Sequence, residues 1–316
     1  ETGQLEFRRL DQLKENDFIP TTYNHQAFGN YQKISNEEIA YLLGILTGDG
    51  GLTTRGRVTF TSADPELVFK FKEIVKKYWG REPLPKNKYD YLVYSLEVKR
   101  DLINFGLRET YSENKVVPEG VFLAPKPIIA AFLRGLFDTD GYCGKEEVEL
   151  SSSSRDLIFS VHHLLLNLGI VNRFHERRKK YNNKLQYYIS ITGDFLASFN
   201  KEVGFALPRK QKILETLLLK TRNTNNNLIY YQGSRFKNIW ATIRGAGFTA
   251  NREFWHTPFI KNFYRHISGA RAPSTTTLVK TLDFFTSIKP EINTHPDFQY
   301  LQTFAQAKFF FSPVVE

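Results

Sequence analysis

Apolar and polar positions along the chain fall into helix and strand periods that occur twice in the same order. Ser35-Asn36-Glu37-Glu38 is a capping-box pattern and predicts a helix through about Thr47, stopped at Gly50-Gly51. Residues 57–61 (RVTFT) alternate as a strand. Asp64-Pro65 places a cap and a first-turn proline before a helix with Leu67, Val68, Phe71, Ile74, Val75 and Tyr78 on one face. Residues 89–97 read as a strand and 100–106 as a short helix closed by glycine. The order then returns. Pro127 opens a helix to about Phe137, 148–151 (VELS) is a strand, and Ser154 or Asp156 caps a helix with Leu157, Ile158, Val161, Leu164, Leu165 and Leu168 inward. Residues 171–180 and 185–192 form a hairpin around Asn182-Asn183, and a short helix follows near 195–199.

The two passages are an internal duplication of about 90 residues. Asp49 and Asp140 stand 91 positions apart (140 less 49), and DLINF at 101 and FLASF at 195 stand 94 apart (195 less 101). Two copies are too few for a solenoid and suit a pseudo-two-fold pair. Beyond residue 217 the pattern changes to aromatic, basic, helical stretches such as FKNIWATI (236–243) and TTTLVKTLDFF (275–285), after a linker-like NTNNN at 223–227. The expected fold class is therefore α+β. It has repeats at 35–118 and 124–216, a mostly helical unit at 217–307, and strand-like terminal pieces at 1–22 and 308–316.

Composition narrows the class. Apolar content of 41% with 15% aromatics belongs to a folded chain. No apolar run approaches membrane-spanning length and no leader pattern is visible, so an intracellular protein is expected. The single Cys143 rules out an internal disulfide and a cysteine zinc site, and the seven histidines form no ligand pattern. The absence of methionine is expected of a segment cut from a longer polypeptide. The net charge of +10 is uneven: residues 1–119 carry 17 Lys+Arg against 18 Asp+Glu, 120–216 carry 14 against 10, and 217–316 carry 12 against 5. Such a basic last third suits a polyanion partner.

The chemistry sits in the duplicated helices. LLGILTGDG (42–50) and LRGLFDTDG (133–141) share a spacing of small residue, acid and glycine. On a helix Gly44 and Gly48 lie one turn apart on one face, as do Gly135 and Thr139, so two such helices can pack closely. Asp49 and Asp140 would then emerge together, two like charges that a divalent cation with oxygen ligands would relieve. A cation held this way can activate water against a phosphodiester.

These motifs resemble the paired signature of LAGLIDADG homing endonucleases, in the two-motif, single-chain, intein-encoded form, over roughly residues 35–216. The resemblance implies two αββαββα halves forming a saddle over DNA. It also implies a metal site of Asp49, Asp140, Gly48 and Thr139 for Mg2+, with Mn2+ able to substitute. The implied activity is cleavage of both strands of double-stranded DNA, by a monomer, at a long asymmetric site. Thr47 departs from the signature, where an acid is usual. The family's basic residue near each centre maps to Lys115 in NKVVPEG (114–120), and in VGFALPRKQK (203–212) to Lys210, with Lys212 and Arg209 as rivals. LEFRRLDQLKENDFIP (5–20) and FFFSPVVE (309–316) resemble fragments of the Hint domain of an intein, without its splicing nucleophiles.

The hairpin places Arg173, His175, Arg177, Lys179, Lys180 and Lys184 on a ribbon that suits a major groove, and Arg55 and Arg57 occupy similar positions in the first repeat. In the last third Arg235, Lys237 and Arg271 are expected to contact DNA. The adjacent pair His162-His163 reads as structural. A non-cleaving DNA-binding protein or an RNA maturase on the same fold, and a passenger segment of a splicing intein, are the alternatives.

Overall fold

The computed structural model describes residues 4–30, 33–34, 36–179, 183–220, 227–248 and 258–314, with backbone alone for 258–261. The chain forms two compact units, residues 24–222 and residues 1–23 with 223–316. The second unit has a 3-10 turn at Leu10–Gln12 and then β1 (Phe18–Thr22).

The 24–222 unit contains both copies. The first runs α1 (Glu37–Asp49), β2 (Gly50–Gly51), β3 (Arg57–Thr61), α2 (Pro65–Trp79), β4 (Leu84–Pro85), β5 (Asp90–Tyr94) and α3 (Leu96–Asn104). After the short α4 (Glu119–Phe122), the second runs α5 (Lys126–Asp140), β6 (Gly141–Cys143), β7 (Glu147–Ser152), α6 (Arg155–Asn167), β8 (Arg173–Arg178), β9 (Leu185–Thr192) and α7 (Phe195–Glu202). Helix α8 (Pro208–Leu218) follows. Each copy is thus αββαββα, with antiparallel sheets ordered β2-β3-β5-β4 and β6-β7-β9-β8. The expected α+β class and the duplication are both borne out. Element ends differ from the sequence reading. The helix expected over 127–137 runs three residues further and ends at Asp140 itself. The strand expected to 97 stops at Tyr94, because the Ser95 side chain accepts from the Val98 N–H and starts α3.

Helices α1 and α5 are the centre of this unit. Asn36 caps α1 by accepting from the Ile39 N–H at 3.0 Å. Every α1 residue from Ile39 to Thr47 is buried, as are Ile128–Leu133 and Gly135–Asp138 of α5. A helix buried all round needs neighbours on all sides, and here the closest neighbour is the other motif helix. A Cβ at Gly44 would overlap the Phe132 carbonyl oxygen and lie 3.0 Å from the Gly135 Cα; one at Gly135 would overlap the Tyr41 carbonyl oxygen. The backbones touch where side chains are missing. Each sheet then packs its inner face on the helices: Val58, Phe60 and Val93 in the first copy, Val148, Leu150, Ile189 and Ile191 in the second.

The other unit closes β1 against β10 (Phe309–Pro313) as an antiparallel pair, Phe18 opposite Pro313 and Thr22 opposite Phe309. Phe18 also stacks on Tyr230 at 3.9 Å between centroids. Its helices are α9 (Gly233–Gly245), α10 (Pro258–Ile267), α11 (Thr275–Ile288) and α12 (Pro296–Gln306), with Phe236, Trp240, Phe263 and Phe285 among their core residues. Arg235, expected on a DNA-facing surface, is instead built into this core edge. It binds Asp297 at 2.8 Å and lies 3.9 Å over the Tyr300 ring, so its charge is used to join α9 to α12.

Placing a larger side chain at the helix contact should be costly, because backbone cannot move aside. Gly44→Val is expected to destabilise the protein by about 3 kcal/mol or more, the upper range for overpacking. The check is the urea unfolding midpoint against wild type; an unchanged midpoint would show that the helices are not in such contact.

Candidate active site

The two aspartates end the two central helices. Asp49 is the last residue of α1 and Asp140 the last of α5. They are brought together by the same missing side chains: a Cβ at Gly48 would lie 2.8 Å from the Thr139 Cβ and 3.3 Å from the Asp140 carboxyl carbon. Asp49 opens to solvent while Asp140 is half-buried. The carboxyl of Asp140 is pushed up to about 7, first by burial and then by the negative charge of Asp49, against the pull of Lys115 and Lys210. That of Asp49 is also raised, by burial of its carboxyl, with Lys115 and Lys210 opposing. The pair resists being doubly charged, as carboxylates at a shared site do.

Both expected lysines reach this point. The Lys115 ammonium donates to the Gly48 carbonyl oxygen. Burial lowers its pKa while Asp140 and Asp49 raise it. Lys210 is buried and donates to the carbonyls of Phe137 (2.9 Å), Asp138 (2.7 Å), Thr139 (3.5 Å) and Gly141 (2.5 Å). Burial pulls it down to about 8. Its rival Arg209 turns away to an ion pair with Asp64 at 2.8 Å.

The expected oxygen set of Asp49, Asp140, Gly48 and Thr139 is therefore gathered at one place. Two carboxylates that disfavour joint ionisation, beside main-chain carbonyls, are the donor chemistry of a hard dication. The Gly48 and Thr139 carbonyls are shared with the lysines, which leaves each a second lone pair. Among the described residues no group of three or more His, Cys, Asp or Glu side chains comes together, so carbonyl and solvent oxygens would complete the shell. A cavity of about 20 Å3 beside Lys115, lined also by Thr47 and Arg108, has room for one water molecule.

The strand residues divide by face. Phe174, opposite Ile189, points to the helices; Arg173, His175 and Arg177, opposite Ser190, Tyr188 and Gln186, point the other way. His175 stacks on Tyr188 at 5.3 Å and Arg177 lies 5.1 Å over the same ring. Lys179 and Lys184 meet at the hairpin end, where the Lys179 N–H donates to the Lys184 carbonyl at 2.8 Å. Lys180 lies outside the described residues. Arg55 is exposed, and Arg57 shares the outward face of β3 with Thr59 and Thr61. In the other unit Lys237 and Arg271 are exposed. His162 is held by Asn172 at 2.7 Å. Two groups were missed by the sequence reading: helix α8, which carries Lys210, and the buried acid Asp138. Pro208 at the first turn was the available signal for the helix.

The LAGLIDADG-like domain family matches residues 127–204. A replication factor C small subunit of Methanocaldococcus jannaschii is 28% identical over 75% of this chain and 13% of its own length. A replicative DNA helicase DnaB of Synechocystis is 33% identical over 75% of this chain and 29% of its own length. The chain thus spans under a third of either relative. Among solved structures, the homing endonuclease I-DmoI in complex with DNA and Ca is 20% identical, with a TM-score of 0.44, covering 57% of this chain and 97% of that one. Residues 127–204 are a LAGLIDADG-like domain. The copy before it repeats the same order of elements, as the doubled motif led one to expect. No helix among the described residues is long and apolar enough to cross a membrane.

The raised Asp140 carboxyl has a measurable sign. The folded protein holds this proton up to about pH 7 and the unfolded chain releases it near the ordinary carboxylate value. Without metal, this group therefore removes stability as pH rises from about 4 to about 7. Asp140→Asn is expected to be more stable than wild type at pH 8 in EDTA, with the advantage fading toward pH 4. Thermal melts across that range decide; a pH-independent difference would remove the explanation.

Proposed function

We propose that the protein is a site-specific, divalent-metal-dependent endonuclease that hydrolyses both strands of double-stranded DNA. One observation carries the reading: two aspartates at the tips of close-packed, pseudo-symmetric helices, with a lysine brought to each helix end. Asp49 and Asp140, with the Gly48 and Thr139 carbonyls, would hold Mg2+, with Mn2+ as a substitute. The cation, when bound, supplies charge against the phosphate and an acidified water. The chain's own contribution is placement. The helix tips fix the carboxylates, and Lys115 and Lys210 put positive charge where charge develops on a scissile phosphate. The outward residues of the second sheet, Arg173, His175 and Arg177, suit base edges and phosphates of one half-site; Arg55 and Arg57 suit the other. Lys179 and Lys184, where the hairpin strands end, would hold the backbone. In the terminal unit, exposed Lys237, Arg271 and Lys280 make the helical part an accessory DNA-binding module.

A second reading concerns the parent chain. Three quarters of this chain (75%) aligns with a fraction of each of two proteins of unrelated names, a replication factor C subunit and a DnaB helicase. That is what an element inserted into unrelated hosts would give, and the β1–β10 pairing supports residues 1–22 and 308–316 as pieces of an intein's Hint domain.

The test is Mg2+-dependent cleavage of a plasmid library of genomic inserts by wild type and by Asp49→Asn and Asp140→Asn. Cuts at one recurrent site are expected. Each variant should fall below about one hundredth of wild type, the order seen when a group stabilising transition-state charge is removed, while retaining DNA binding. Full cleavage by either variant would overturn the proposal, and salt-sensitive binding of RNA without any cutting would favour a maturase.

A further inference from the structure

Asp138 lies two residues before Asp140 and is 1% exposed. Its Oδ2 accepts from the Tyr41 hydroxyl at 2.8 Å and the Ala206 N–H at 3.1 Å; its Oδ1 accepts from the Leu207 N–H at 3.3 Å. Leu207 is the N-cap residue just ahead of α8, and its side chain makes no capping hydrogen bond. A carboxylate at this place anchors the chain that leads into α8: it takes the N–H groups of the two residues ahead of the helix and lies at the positive end of the helix dipole. Lys210, three residues on, returns the favour. Its ammonium sits among the carbonyls at the end of α5, the groups a helix terminus leaves without partners. Helix α5 thus anchors the entry to α8, and α8 caps the end of α5.

The first copy has no such arrangement. Thr47 stands where Asp138 stands, and its hydroxyl turns back to the Leu43 carbonyl of its own helix at 2.7 Å. Lys115 lies on an extended segment, held through its own carbonyl by the Ser154 hydroxyl at 2.6 Å, and its ammonium reaches the Gly48 carbonyl. The two lysines are equivalent in the duplication but differ in what fixes them.

We propose that Asp138, braced by the Tyr41 hydroxyl from the other copy, is a positioning residue for Lys210, so that one of the two strand-cutting centres depends on a clasp that the other lacks. This rests on the endonuclease reading above. Tyr41 belongs to the first copy and Asp138 to the second, so the clasp also ties one strand's cutting centre to the helix that delivers the opposite aspartate.

The test uses a supercoiled plasmid bearing the site recovered with wild type. The variants are Tyr41→Phe and Asp138→Asn, with Thr47→Val as comparator, all checked for wild-type thermal melts. Tyr41→Phe removes one hydroxyl, so it keeps the test usable where Asp138→Asn does not fold. Both clasp variants are expected to accumulate nicked circles, with the nick always in the same strand, and to convert nicked to linear DNA at least about tenfold more slowly. Thr47→Val should linearise as wild type does. In parallel, amine acylation read by mass spectrometry should show Lys210 protected in wild type and exposed in the clasp variants. Equal slowing of both strands, nicks in either strand, or Lys210 still protected would overturn the proposal. A wild-type protein that leaves every plasmid intact would instead count against the endonuclease reading, and the labelling alone would then decide whether the clasp holds Lys210.

Discussion

Contact between the backbones of α1 and α5 is the constraint from which the rest of the 24–222 unit follows. Two helices can come this close only where neither has a Cβ in the way, which Gly44 and Gly135 provide. The cost is electrostatic. Parallel placement of two helix C-termini gathers two negative dipole ends, and each carries a carboxylate besides. Positive charge must come from elsewhere in the chain, and Lys115 and Lys210 both bring it to main-chain oxygens at those ends. The raised Asp140 carboxyl is what remains unrelieved. Packing that stabilises the core thus creates the local field that a bound cation would answer.

Around this axis the two sheets share one strand order but not one surface. The outward side of β8 carries Arg173, His175 and Arg177, with Tyr188 beneath them; the outward side of β3 carries Arg57 with two threonines. Duplication preserved the inward positions, where Val58 and Phe60 answer Val148 and Leu150, because those must fill the same space against the helices. Outward positions carry no such demand, and there the copies diverged. A pseudo-symmetric frame with unlike faces suits a partner whose two halves differ.

Much of this was legible in the sequence because it is periodic. The repeat showed itself through acids at matching places, the helices through their caps and the strands through alternation, so the order of elements and the convergence of Asp49 with Asp140 could be inferred. What escaped was of another kind. The carboxylate of Asp138 meets main-chain N–H groups almost seventy positions away, and nothing in a local pattern marks such a bond. Arg235 read as surface charge because a lone arginine on a helix looks the same whether it faces water or an Asp297 brought to it by folding. Lys210 was found through its motif; the helix carrying it had only Pro208 to announce it.

The pairing of β1 with β10 has a consequence for the order of assembly. Phe18 and Pro313 are 295 positions apart (313 less 18), and the whole 24–222 unit lies between them. During synthesis β1 leaves the ribosome well before its partner strand, while the intervening unit can complete its own core. Once that unit has folded, the search that joins β1 to β10 runs over a shorter effective loop than the sequence suggests. Until then β1 is an unpaired strand, and Pro20 within it, which has no N–H to offer a passing edge, guards against pairing with the wrong one.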